Sequence, residues 1–221
     1  MIVAKFRTWL TAALVSLMGF GAMAVQAANV DAGLYAAAPP PNSVFIRLVS
    51  ATADGKPIDA TIGKLRYVTP SGTASVYKVM PAGNQVIKVG AASKALALVD
   101  GRYYTVVVSG TQAKPNANLI EDPKLDSKIK GLITFYNLTG RASLTLKTAD
   151  GKAAVVPAVG PGHVGSRSVN GASTGFAVFD GATSVGTIPV QTIERGNAYS
   201  SIVTEAGGKV KVVWIRSETG H

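Results

Sequence analysis

The chain has 221 residues, no cysteine, 47% hydrophobic and 15% charged residues, and 22 Lys+Arg against 12 Asp+Glu, a formal net charge of +10. That apolar share can fill one or two buried cores, which excludes a disordered tail. The missing cysteine excludes disulfide stapling, thiol redox chemistry, a cysteine-type zinc site and a lipid-bearing cysteine. His163 and His221 are the two histidines, so chemistry that needs an imidazole base has little to draw on.

Lys5 and Arg7 precede an apolar run over residues 9–20, and Val25-Gln26-Ala27 before Ala28 reads as a small-residue cleavage site. The apolar run is shorter than the ~20 residues that cross a bilayer. Residues 1–27 are therefore expected to be a cleaved secretory signal, and removal of Lys5 and Arg7 leaves the exported chain at +8. Residues 28–42, ending in Pro39-Pro40-Pro41, read as an extended leader without a fold.

From Ser43 onward, short β-branched and aromatic runs alternate with turn residues, the pattern of an all-β sandwich. Strands are predicted over 44–49, 58–62, 65–68, 85–89, 94–99 and 103–109. A second set is predicted over 132–136, 143–148, 153–156, 174–179, 184–189, 198–204 and 210–215. Between the sets, residues 111–130 are polar, contain Pro115 and Pro123, and mix four Lys with three Asp/Glu, which predicts a linker. The expected organisation is two tandem β-sandwich domains, 43–110 and 131–216, followed by a tail over 217–221.

Asp-Gly occurs at Asp54, Asp100, Asp150 and Asp180, each between strand-like runs, and suits the positive φ values of a type I′ hairpin turn. None of these carboxylates has further oxygen ligands at the spacing of a calcium loop. The halves also resemble each other. Val68-Thr69-Pro70-Ser71-Gly72 is similar to Val159-Gly160-Pro161-Gly162-His163, and Gly101-Arg102-Tyr103-Tyr104 to Gly196-Asn197-Ala198-Tyr199, at offsets near 90 residues. A duplicated domain is expected.

Two motifs suggest catalysis and then lose it. Gly171-Ala172-Ser173-Thr174-Gly175 fits the G-x-S-x-G of a hydrolase elbow, but a strand follows where a helix is needed, and the histidine downstream is His221, the last residue. Gly160-Pro161-Gly162-His163-Val164-Gly165 fits G-x-G-x-x-G without any helical periodicity after it, and reads as a flexible loop between two strands. His163 is expected to be exposed in that loop, with no orienting acid or further metal ligand near it in sequence. No catalytic residue, metal or cofactor is predicted. The single tryptophan past the signal, Trp214, lies at strand spacing and is expected in the core.

The positive charge is spread: residues 43–110 carry 8 basic and 3 acidic residues, and residues 131–216 carry 8 and 4. No basic cluster with interleaved aromatics or recognition helix points to nucleic acid. An acidic polysaccharide or a negatively charged protein fits better.

Several stretches together resemble one known family. Gly33-Leu34-Tyr35 with the proline run, Val44-Phe45-Ile46-Arg47, Tyr103-Tyr104-Thr105, and Leu144 through Lys152 followed by Val159-Gly160-Pro161 are similar to the alginate biosynthesis protein AlgF family. The resemblance implies two β-sandwiches in the periplasm and a non-catalytic adaptor role in O-acetylation of alginate or a related exopolysaccharide. It also implies as partners a membrane acetyl donor subunit and periplasmic serine acetyltransferases of the SGNH type. The alternatives are a carbohydrate-binding module for an acidic polysaccharide and an acetyl-relay enzyme using Ser173. Lys147, Asp150 and Lys152, in the most family-like stretch, are the candidate partner contacts.

Overall fold

Seventeen strands and no helix make up the described residues, 39–219 of a computed structural model. The expected signal over 1–27 and most of the leader over 28–42 lie outside them. Each of the thirteen expected strands is found.

The first sandwich has an outer sheet in the order β3(Leu65–Thr69), β2(Ile58–Ile62), β6(Gly83–Val89), β7(Ala92–Leu98). Its inner sheet runs β4(Thr73–Ala74), β1(Ser43–Thr52), β8(Tyr103–Gly110), β9(Pro115–Asp122), and β5(Lys78–Pro81) shares the same edge of β1 with β4. The second sandwich repeats this arrangement, with one strand in the place of β4 and β5. Its outer sheet is β12(Ala154–Val159), β11(Leu144–Thr148), β14(Ala172–Asp180), β15(Thr183–Ile193). Its inner sheet is β13(His163–Val169), β10(Gly131–Leu138), β16(Ala198–Ala206), β17(Lys209–Arg216). In both, the central pair of the inner sheet is parallel, β1 with β8 and β10 with β16.

The repeat extends to single hydrogen bonds. The hydroxyls of Tyr104 and Tyr199 each accept a backbone N–H from five residues earlier, Val99 at 3.1 Å and Glu194 at 3.0 Å. Gly72 and Gly162, with φ of 68° and 72°, donate to the carbonyls of Ser50 and Asn137, both at 2.7 Å. At Gly72 a side chain would also strike Lys211 and Thr204 of the second sandwich, so glycine is needed for close approach as well as for its backbone angle.

Outer strands alternate: β2 buries Ile58, Ala60 and Ile62 and turns Asp59 outward. The central inner strands β1, β8, β10 and β16 do not, because both of their faces are covered. Along β1, Val44, Ile46 and Leu48 enter the first core with Ile87, Leu96 and Val106. Val49 and Ala51, facing the other way, join Val107, Tyr136 and Ile202 in a third cluster between the two inner sheets. The second core gathers Phe135, Leu146, Phe176, Val178 and Val203. The sheets thus stack outer, inner, inner, outer.

Four expectations are corrected. Residues 115–122 of the expected linker form β9, paired antiparallel along the whole of β8 through a turn at Thr111–Lys114. Its polar composition hid it, since this edge strand turns only Ala117 and Leu119 toward the first core and Ile120 toward the third cluster, and Pro115 is tolerated at its first position. The loop expected over 160–165 stops at Gly162, and β13 begins at His163. The tail crosses to the first sandwich, where Glu218 accepts the N–H of Tyr77 at 2.9 Å and Thr219 bridges Tyr77 in parallel register. Finally, none of the four Asp-Gly pairs is a type I′ turn. Gly55, Gly101, Gly151 and Gly181 have positive φ, but Asn42 is the one non-glycine residue that does among those described. Asp54 and Asp150 instead accept the N–H two residues on, from Lys56 and Lys152. Asp54-Gly55 and Asp100-Gly101 lead from one sheet to the other, not into a hairpin.

Only residues 123–130 connect the sandwiches without strand structure, and Lys124 and Lys128 are exposed there. Trypsin is expected to cut after one of these two first. The halves should still co-elute in native size exclusion, because the third cluster and the tail hold them together. Separation of the halves without denaturant would show the junction to be weak.

A buried polar junction as the candidate functional site

The junction contains an ionic network built on Arg47 and Asp122. Arg47 is only 1% exposed in the middle of β1. Its Nε donates to Thr105 Oγ1 at 2.9 Å, and its Nη2 donates to Tyr136 Oη and Ser200 Oγ, both at 2.9 Å. Asp122, at the end of β9, closes the network from the other side. It accepts from the hydroxyls of Tyr77 at 2.7 Å, Thr105 at 2.6 Å and Tyr136 at 2.6 Å. Thr105 and Tyr136 accept from the guanidinium and donate to the carboxylate, so cation and anion are joined through polarised hydroxyls. The Arg47 guanidinium also lies 4.5 Å from the centre of the Tyr77 ring and 5.4 Å from that of Tyr136.

Register explains why one arginine serves both domains. Arg47 pairs with Thr105 in the first inner sheet, and the equivalent pair in the second is Thr134 with Ser200. The repeat therefore places small hydroxyl residues where the first sandwich inserts a long cation. Burial by itself lowers the Arg47 pKa, and the surrounding Tyr136, Tyr77 and Asp122 more than offset it, so the guanidinium stays charged. Burial pushes the Tyr77 and Tyr136 phenols well above their ordinary range, so both remain hydroxyl donors.

Beside the network, at the edge of the junction, is a cleft of about 250 Å³ lined by Tyr77, Tyr103, Asp122, Lys124, Asn197 and Ser217. Tyr103 stacks on Phe45 with ring centres 4.3 Å apart and meets Tyr77 edge-on at 5.4 Å. With its arginine enclosed and its carboxylate accepting from three donors, the network ties the two sandwiches together. Lys211 adds a further tie through Nζ to the Ser71 carbonyl at 3.0 Å.

The residues singled out in the sequence lie elsewhere. Lys147 and Lys152 share the β11–β12 hairpin. Lys147 Nζ rests 4.6 Å from the centre of the Phe179 ring on the outer face, and Lys152 is exposed, 4.0 Å from Asp150. Asp150 is engaged in its own turn, accepting from the Thr148 hydroxyl at 2.6 Å and the Lys152 N–H at 3.1 Å, which hold its carboxyl below the usual range. Ser173 sits exposed on β14 with Oγ 3.0 Å from Thr192 Oγ1, across the strand pair, a partner that supplies no base. His163 Nδ1 lies 2.8 Å from the Pro161 carbonyl in its own turn. Among the described residues no group of three or more His, Asp or Glu could hold a metal.

Arg47 carries a signal in the sequence, and Asp122 does not. A charged residue in the middle of a continuous apolar run is the mark of a buried cation, and Asp122 was hidden inside the polar stretch assigned to the linker.

The sequence profile described as "Alginate O-acetyl transferase AlgF" matches residues 13–200. The alginate biosynthesis protein AlgF of Azotobacter vinelandii is 36% identical over 214 residues, which is 96% of this chain and 95% of the relative. The chain belongs to the AlgF family. AlgF of Pseudomonas aeruginosa is likewise 36% identical, over 95% of this chain and 94% of its own. The solved C-terminal domain of P. aeruginosa AlgF is 43% identical, covering 40% of this chain and 99% of that domain, with a TM-score of 0.38. AlgF relatives are named for alginate biosynthesis, and no part of either full-length relative larger than a few per cent falls outside the match.

Proposed function

We propose that this AlgF-family chain is a periplasmic, non-catalytic adaptor required for O-acetylation of alginate or a related acidic exopolysaccharide. It joins a membrane acetyl donor subunit to SGNH-type periplasmic acetyltransferases, and needs no cofactor. The observation that carries this reading is the Arg47–Asp122 junction, which makes one rigid body of two sandwiches. A body of fixed length holds two enzymes at a set separation, as an adaptor requires. The surroundings of Ser173 favour this over acetyl relay, since its recorded partner is another hydroxyl. The exposed hairpin with Lys147 and Lys152 is one surface available to a partner.

The test is deletion of the gene followed by assay of the secreted polymer for acetyl esters. Polymer should still be made, with acetylation lost or sharply reduced, and unchanged acetyl content would remove the proposal. Complementation with Ser173→Ala should restore acetylation fully; failure to do so with a normally folded variant would favour the enzyme reading. Binding to a periplasmic acetyltransferase should persist into moderate salt, because a specific protein interface buries ~1,200–2,000 Å² including apolar surface. Binding to uronate oligosaccharides through dispersed exposed lysines should be weak and lost with salt.

A further inference from the structure

Where the second sandwich closes, the edge strands β12 and β13 leave a groove of about 330 Å³, lined by Lys130, Ala154, Val155, Arg167, Val169 and Asn170. β12 pairs only with β11 and β13 only with β10, so each has one edge without a strand partner. Arg167 is fixed across the seam, with Nη1 donating to the carbonyls of Ala154 at 2.9 Å and Val155 at 3.4 Å. Its Nε and Nη2 take no hydrogen bond among the described residues, and neither Arg167 nor Lys128 nor Lys130 is in an ion pair there. Beside the groove, Ile129 is 70% exposed between Lys128 and Lys130. Lys152, 85% exposed, adjoins the groove through Ala153. The acidic groups nearest in sequence are Asp126, two residues before Lys128, and Asp150, two before Lys152 and 4.0 Å from its Nζ.

From this combination we infer that the β12–β13 groove, with the Lys128-Ile129-Lys130 ridge, docks an acidic protein segment bearing an aliphatic or aromatic side chain. The inference rests on the adaptor reading and names one of its surfaces. Three unpaired cations fit carboxylates, and a fixed guanidinium is suited to holding one in two-point geometry. Ile129 decides between a protein and a polyuronate. A polyuronate has charge to offer but no hydrocarbon side chain to cover an isoleucine, whereas a protein interface combines an apolar anchor with a charged surround. The edge of β13, which has no strand partner, can pair with an extended protein backbone, and a sugar chain has no such backbone to offer.

Two probes added to the full chain test this by NMR: a synthetic decapeptide alternating Glu and Leu, and a uronate hexasaccharide. The peptide should shift signals of residues 128–130, 154–155 and 167–169, and Ile129→Asp combined with Lys130→Glu should weaken it by about tenfold or more. Both positions are exposed, so the variant should keep its unfolding midpoint. Peptide shifts scattered over all surface lysines, equal peptide binding by the variant, or tighter binding of the hexasaccharide at the same residues would overturn the inference. In the deletion strain, the Ile129→Asp/Lys130→Glu variant should restore less acetylation than the wild-type chain. If the deletion abolishes acetylation and the variant restores it fully, the groove is not the docking surface and the adaptor reading stands. If the deletion itself leaves acetylation unchanged, the adaptor reading falls.

Discussion

Arg47→Ala is expected to cost about 3–5 kcal/mol of unfolding free energy, measured by urea denaturation, because removing one partner leaves a buried ionic network uncompensated. Asp122 keeps its three hydroxyl donors in the variant but loses the buried cation joined to it through Thr105 and Tyr136, and the guanidinium leaves a space between the two inner sheets. The loss should also change the shape of the transition. The wild-type chain is expected to unfold in one step, since the sandwiches share the third cluster as well as the network. With Arg47 gone, the sandwiches should separate into two transitions. In a double-mutant cycle, Arg47→Ala and Asp122→Ala should be non-additive by about 0.5–3 kcal/mol, since the two belong to one hydrogen-bonded network. A cost below about 1 kcal/mol with a single transition would mean that the junction is held by its apolar contacts alone. An Arg47→Ala chain that folds but fails to support acetylation would tie rigidity to the adaptor role.

Phe176→Ala should destabilise by a similar amount through a different cause, about 3–5 kcal/mol from lost burial and the cavity left behind. Phe176 is 1% exposed at the centre of the second core, stacked on Trp214 with ring centres 4.9 Å apart. Trp214 in turn stacks on Tyr199 at 5.7 Å, so the three rings join the outer sheet to the inner one. Because Trp214 is the one tryptophan among the described residues, its emission reports on the site directly. The variant should show red-shifted fluorescence in the native state and a lower urea midpoint. Ser173→Ala, three residues upstream on the same strand but exposed, should stay within about 0.5 kcal/mol of wild type. Equal effects from the two substitutions would contradict the assignment of Phe176 to the core.

The positions of the strands were determined by local pattern. Ile58–Ile62 alternates because one face meets a core and the other meets water, and the sequence states this residue by residue. The turns Pro70-Ser71-Gly72 and Gly160-Pro161-Gly162, one residue off the match of Pro70 with Pro161, and the tyrosines Tyr104 and Tyr199 likewise announced the repeat, because each is a local hydrogen-bonding device. What the sequence could not state is which second surface covers a strand that is buried twice. Arg47 stands in an apolar run, and its partners Thr105, Tyr136 and Ser200 lie 58, 89 and 153 residues away. Asp122 stands in a polar run and reads as solvated. Only the stacking of the two inner sheets removes both from water and supplies the hydroxyls between them. Burial of a charge depends on long-range packing, and no periodicity of the chain encodes it. The β12–β13 groove is of the same kind: Lys130 and Arg167 are unremarkable 37 residues apart in sequence, and line one groove only when the sandwich closes.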